Sequence, residues 1–112
     1  MRLPFPGPVD LTLYRTAVSG ETGAFLRYRT SEGFALFEEL LAQHEAIGAE
    51  FVAAGLPVPV WQSEPDEKNL VVRAPSPMPW NDARQTEQRT WFARVANQFV
   101  NSIAPRVSRT AE

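Results

Sequence analysis

Apolar positions in this chain first alternate, then recur every three or four residues, then alternate again and return to the helical rhythm. Val9, Leu11 and Leu13 interleave with Asp10, Thr12 and Tyr14, and this period of two with β-branched and aromatic residues predicts a strand over Val9–Val18. SGETG, Ser19–Gly23, is turn chemistry. Ala24–Arg29 alternates in turn, with Ala24, Leu26 and Tyr28 on one side and Phe25, Arg27 and Arg29 on the other. The short connection predicts an antiparallel hairpin.

The longest helical pattern is Ser31–Gly55. On a wheel of about 100° per residue, Leu36, Phe37, Leu40, Leu41, His44, Ile47, Gly48 and Phe51 share a face. Glu38, Glu39, Gln43, Glu45 and Glu50 lie opposite. Thr30 or Ser31 suits the N-cap, and Glu32 suits the positive end of the helix dipole. Gly55 stands where a left-handed C-terminal residue is wanted, and Pro57 blocks continuation. Gly48 within the apolar stripe predicts close approach of a strand or of a second helix.

Leu56–Gln62 carries two prolines one residue apart, which confines it to a sheet edge. A polar loop, Ser63–Asn69, leads to a strand over Leu70–Ala74 with Leu70 and Val72 on one side. Pro75–Pro79 reads as a stiff connector. The second helix is expected over Asn81–Ala104, capped by Asn81 with Asp82 in its first turn. Its apolar stripe is Trp91, Phe92, Val95, Ala96, Phe99 and Ile103. Gln85 and Gln88 fall on that same side, which predicts partial burial for the first turns. Pro105 is expected to end the helix, leaving 106–112 as a frayed tail, and Met1–Pro8 reads as an extended arm.

The order is strand, strand, helix, strand, strand, helix. Each hairpin and each helix has one apolar face, so an α+β fold with two helices on one face of a four-stranded, mainly antiparallel sheet satisfies them all. Phe37, Leu40, Ile47, Phe51, Trp91, Val95, Phe99 and Ile103 are the expected core.

With 112 residues the chain is expected to be one domain. It has no cysteine, which removes disulfides and thiol ligands. Neither a basic apolar leader nor an apolar run of about 20 residues is present, so a cytoplasmic location without a membrane span is expected. The net charge of −2 hides an uneven distribution. Ser31–Glu67 holds eight acids and no Lys or Arg, whereas Arg84–Arg109 holds five arginines and one acid. Such faces attract one another within a fold or steer partners.

Catalytic chemistry finds little support. His44 is the only histidine, and its place mid-stripe suits a core residue with one hydrogen-bond partner. The glutamates of the first helix lack the inward direction that acid–base catalysis needs. Asp66, Glu67 and Lys68 share residue types with a nuclease site but suit a charged hairpin tip better. No glycine loop for phosphate is present. The expectation is a non-enzymatic domain with no cofactor, metal or small-molecule substrate, which binds a protein as a homodimer or heteromeric complex. Its candidate surfaces are the acidic face, Glu38, Glu39, Glu45 and Glu50, and the exposed aromatics Phe25 and Trp80. The alternative is nucleic-acid binding by Arg27, Arg29 and Arg73 beside sheet aromatics.

Read together, ALFEELLAQHEAIGAEF, Trp61, KNLVVR, Trp80 and TWFARVANQFVNSIAPRV resemble a widespread bacterial domain of unknown function that often ends restriction-endonuclease-like proteins. The similarity spans about Tyr28–Val107. It implies an accessory or inhibitory role near nucleases or phage-defence proteins and supplies no catalytic residue.

Overall fold

The computed structural model describes residues 2–3, 5, 7–16, 21–74 and 85–111, with 2, 3, 85 and 108–111 as backbone only. The expected Pro75–Pro79 connector, the Asn81 cap with Asp82, the Ser19–Gly20 part of the first turn and the candidate Trp80 lie outside the described residues.

The fold is α+β. Its elements are β1 (Arg2–Leu3), β2 (Val9–Arg15), β3 (Thr22–Tyr28), α1 (Thr30–Leu41), α2 (His44–Ala53), β4 (Val60–Ser63), β5 (Lys68–Arg73), α3 (Gln85–Ser102) and α4 (Ala104–Ala111). All strand pairings are antiparallel, in the order β1-β2-β3-β5-β4. The two-residue β1 extends the expected four-stranded sheet at one edge. The proline-limited β4 forms the other.

Register explains the core. Leu11, Leu26, Leu70 and Trp61 form one row across four strands, and Leu13, Ala24 and Val72 form the next. These inward side chains pack with Phe37, Leu40, Ile47, Phe51, Trp91, Val95, Phe99 and Ile103 in one buried cluster. Edge-to-face pairs of Phe51 with Phe99 at 5.4 Å and Phe37 with Trp61 at 5.5 Å join helices to each other and to the sheet. Tyr28 points inward against Phe37, not to the outer face.

Both helical segments are broken, which corrects two expectations. The Ser31–Gly55 pattern folds as α1 and α2. At the junction the Gln43 N–H bonds the Leu40 carbonyl three residues back (2.9 Å), and the Ile47 N–H bonds the Gln43 carbonyl (3.1 Å). This tight final turn rotates α2, so His44 leaves the apolar stripe and becomes exposed. Its Nδ1–H donates to the Leu41 carbonyl at 2.9 Å, satisfying one of the open carbonyls at the end of α1.

The C-terminal end of α2 is as expected. Gly55 has φ 77°, and the Leu56 N–H reaches the Phe51 carbonyl while the Gly55 N–H reaches that of Val52, both at 2.9 Å. This is a Schellman motif, with Phe51 and Leu56 both buried.

The second correction is the tail. Pro105 has no N–H for the α3 ladder, so α3 stops at Ser102. Proline is tolerated in a first helical turn, and the chain resumes there as α4 with Val107 buried. Gln88, expected in a half-open turn, is fully buried. Among the described residues no helix is long and apolar enough to cross a membrane.

Two mutations test this packing. Phe99→Ala should cost about 3–5 kcal/mol in urea unfolding. A Cβ on Gly48 would lie 3.5 Å from Val58 Cγ1, an ordinary contact, so the segment after α2, rather than a helix, faces this glycine. Gly48→Ala should therefore raise stability by about 0.5–1 kcal/mol. A loss in the same experiment would show that the site is tighter than its geometry.

Candidate functional site

The helices cover one face of the sheet, and among the described residues no helix lies over the other. On that outer face the register aligns Thr12, Phe25, Val71 and Val60, flanked by a row of Asp10, Arg27, Asn69 and Gln62 and by a row of Tyr14, Gly23 and Arg73. Phe25 is half-buried, Val71 is buried between its cross-strand neighbours, and Val60 is 48% exposed. Tyr14 lies across Gly23, where a Cβ would come within 2.5 Å of its ring. The glycine thus lets the ring lie down on the strand beside Phe25, with centroids 6.0 Å apart. Tyr14, Phe25, Gln62, Val71 and Arg73 border a shallow hollow of about 250 Å³.

Charges on this face are mostly closed into pairs. Arg29 meets Asp10 at 2.9 Å. Glu21 accepts from both Arg73 Nε and the Tyr14 hydroxyl at 3.0 Å. Burial, with help from Glu21, raises the Tyr14 hydroxyl above its ordinary value. Of the three candidate arginines, Arg27 alone has no carboxylate partner among the described residues.

The four candidate glutamates are divided between two helices. Glu38 and Glu39 lie on α1, and Glu45 and Glu50 on α2 beyond the break. Glu39 and Glu45 are exposed. Glu38 stands 3.8 Å from Lys68 Nζ.

Glu50 is held by Arg106, whose guanidinium donates to both carboxylate oxygens at 3.2 and 2.9 Å. The same guanidinium reaches Gln43 Oε1 at 3.0 Å and the Ser102 carbonyl. It therefore ties the α1–α2 break to the α3–α4 break. A residue assigned to a frayed tail is a structural clamp, and helix periodicity gave no signal of it. Arg94 acts similarly: Nη2 donates to the Ala54 carbonyl at 2.7 Å, a cation at the negative end of α2.

Lys68, the only lysine of the chain, is not at an open hairpin tip. Its head lies 5.3 and 5.7 Å from the ring centroids of Phe34 and Phe37. It donates to Ser63 Oγ at 2.8 Å and to the Glu64 carbonyl at 3.2 Å. A serine beside a lysine can form a nucleophile–base dyad. Here Lys68 Nζ donates to Ser63 Oγ while two ring faces, a carboxylate and a carbonyl take up its other sides, which makes the pair a structural contact of the hairpin. Among the described residues no group of three or more His, Asp or Glu side chains is placed to hold a metal ion.

The clamp makes a pH prediction. Hydrogen bonds from Arg106 first, and from Ser102 second, hold Glu50 below the ordinary carboxylate range. A depressed folded value means that the stabilisation is complete above the unfolded value, about 4.3, and is lost as pH falls through the folded one. The Glu50 side chain is 41% exposed, so solvent screening keeps the effect modest. Urea unfolding of Glu50→Gln against pH should show a shallower acid decline than wild type, with the two curves converging at the lowest pH. Parallel curves would mean that the pair contributes nothing.

No family model, curated protein or solved structure matches the chain.

Proposed function

We propose that this chain is a non-enzymatic interaction domain that binds a protein through the outer face of its sheet. The observation that carries this reading is the half-buried Phe25 and the exposed Val60 beside Tyr14, on a face over which no helix of the described residues lies and where Arg29 and Arg73 are already paired. Aromatic and aliphatic side chains in a mixed polar rim are the composition of protein interfaces. The partner is a second copy or a different chain. The accessory or inhibitory role beside a nuclease or a phage-defence protein is part of this proposal and rests on the sequence resemblance of Tyr28–Val107 alone, without a family match.

The alternative is a nucleic-acid-binding module using Arg27, Arg29 and Arg73. Phosphate binding draws on cations free to replace counterions. Arg29 and Arg73 are engaged by Asp10 and Glu21, which favours the protein reading.

Sedimentation over a concentration range, with wild type and Phe25→Ser side by side, tests the homodimer. Wild type should associate, and Phe25→Ser should stay monomeric with an unchanged circular dichroism spectrum. A strictly monomeric wild type at high micromolar concentration removes the homodimer. The reading then stands only if Phe25→Ser abolishes co-purification of a partner chain. A salt-sensitive shift of labelled single-stranded DNA or RNA, lost in Arg27→Glu, would instead establish the alternative.

A further inference from the structure

On the helix side, α1, Val107 of α4 and the segment before β2 enclose a slot of about 220 Å³. Pro8, Ala35, Leu36 and Val107 line it together with Glu32 and Glu39. The slot is built by close approaches. Gly7 has φ 74°, and a Cβ there would lie 2.9 Å from Val107 Cγ1; a Cβ on Gly33 would lie 3.0 Å from the Pro8 carbonyl oxygen.

Glu32 and Glu39 are exposed, and neither has a partner among the described residues. Seven residues separate them, two helical turns or about 10 Å along the axis. Ala35 and Leu36 lie between. Two carboxylates without a described partner thus line a mainly apolar slot whose volume is on the scale of one large side chain. Among the described side chains, the arginines nearest its lining in sequence, Arg29 and Arg106, are engaged by Asp10 and Glu50, so neither neutralises the two glutamates.

We propose that this slot docks a basic amphipathic helix of a protein partner, which inserts one apolar side chain between Glu32 and Glu39 and sets a cation against each. The spacing suits a helical occupant. A helix lying along α1 with Lys or Arg seven residues apart places one opposite each glutamate, and the residue midway between them faces the slot. A nucleic acid would bring phosphates against two carboxylates. The proposal rests on the reading of this domain as a protein-binding module, but it uses a surface apart from the outer sheet face.

Fluorescence anisotropy of the whole chain with a stapled, labelled helical peptide tests it. The peptide carries lysines seven residues apart and a leucine midway. Glu32→Gln with Glu39→Gln should weaken binding about tenfold at low salt, two exposed ion pairs' worth, with the difference shrinking as salt rises. Ala35→Phe, which fills the slot, should weaken binding without changing its salt dependence. Glu32→Lys with Glu39→Lys should bind the same peptide remade with glutamates. Unchanged binding by the Gln variant, or no binding by wild type, overturns the proposal. Phe25→Ser should leave the isotherm intact. Loss of binding there alone would assign the peptide to the sheet face and also overturn the slot.

Discussion

The longest strands have seven residues and stand about 23 Å tall. This height limits what can cover them. A straight helix through Thr30–Ala53 would run about 36 Å, and one through Gln85–Ala111 about 40 Å. Either would carry apolar residues past the sheet into water. Each segment instead breaks once and bends back over the core. The breaks cost intrahelical hydrogen bonds, and their open groups are met individually: Nδ1 of His44 on the Leu41 carbonyl, and the guanidinium of Arg106 on the Ser102 carbonyl. Arg106 also grips Gln43 and Glu50, so two bends far apart in sequence are fixed relative to one another. Burial of Ile47, Phe51, Phe99 and Ile103 supplies the energy, and the clamp selects the angle.

Electrostatics divide along similar lines. The acid-rich first half and the arginine-rich C-terminal segment meet within the fold, through Glu50 with Arg106 and through Arg94 at the end of α2. The outer sheet face closes its own pairs, Asp10 with Arg29 and Glu21 with Arg73. Among the described side chains of this face, Arg27 is the cation left without a carboxylate partner. What remains is aromatic and aliphatic surface that changes little with salt. Glu32 and Glu39 are a contrast, because no cation of the described fold meets them.

Period and punctuation made much of the fold legible. Leu11, Leu26 and Leu70 fell inward because alternation admits only two faces. Gly55 and Pro57 ended the helix by backbone chemistry that no tertiary contact needed to enforce. The break at Gln43 has no glycine or proline, and the hydrogen bond from Arg106 that meets it is one a wheel cannot see. His44 was misplaced for that reason, since rotation of α2 carries it out of the stripe. Pro105 was legible as an end of α3 but not as the opening of α4, because burial of Val107 is what holds the last turns. The candidate surfaces were half legible. Phe25 faces outward as alternation required, whereas the pairing of Arg73 with Glu21 joins residues 52 positions apart, and the slot beside Glu32 is assembled from three separate segments.

The sunken position of Lys68 has a chemical consequence. A side-chain amine acylates only when its nitrogen lone pair is bare and reachable. The head of this lysine is held by Ser63, the carbonyl of Glu64 and two ring faces, and its side chain is only 13% exposed. Its reaction with an activated ester therefore waits for these contacts between the β4–β5 hairpin and α1 to open. Because no other lysine competes, side-chain acylation becomes a clock for that single opening. The hairpin carries Val60 and Val71 of the outer face on its other side. Anything that clasps this face and steadies the hairpin should slow the clock, without touching the lysine.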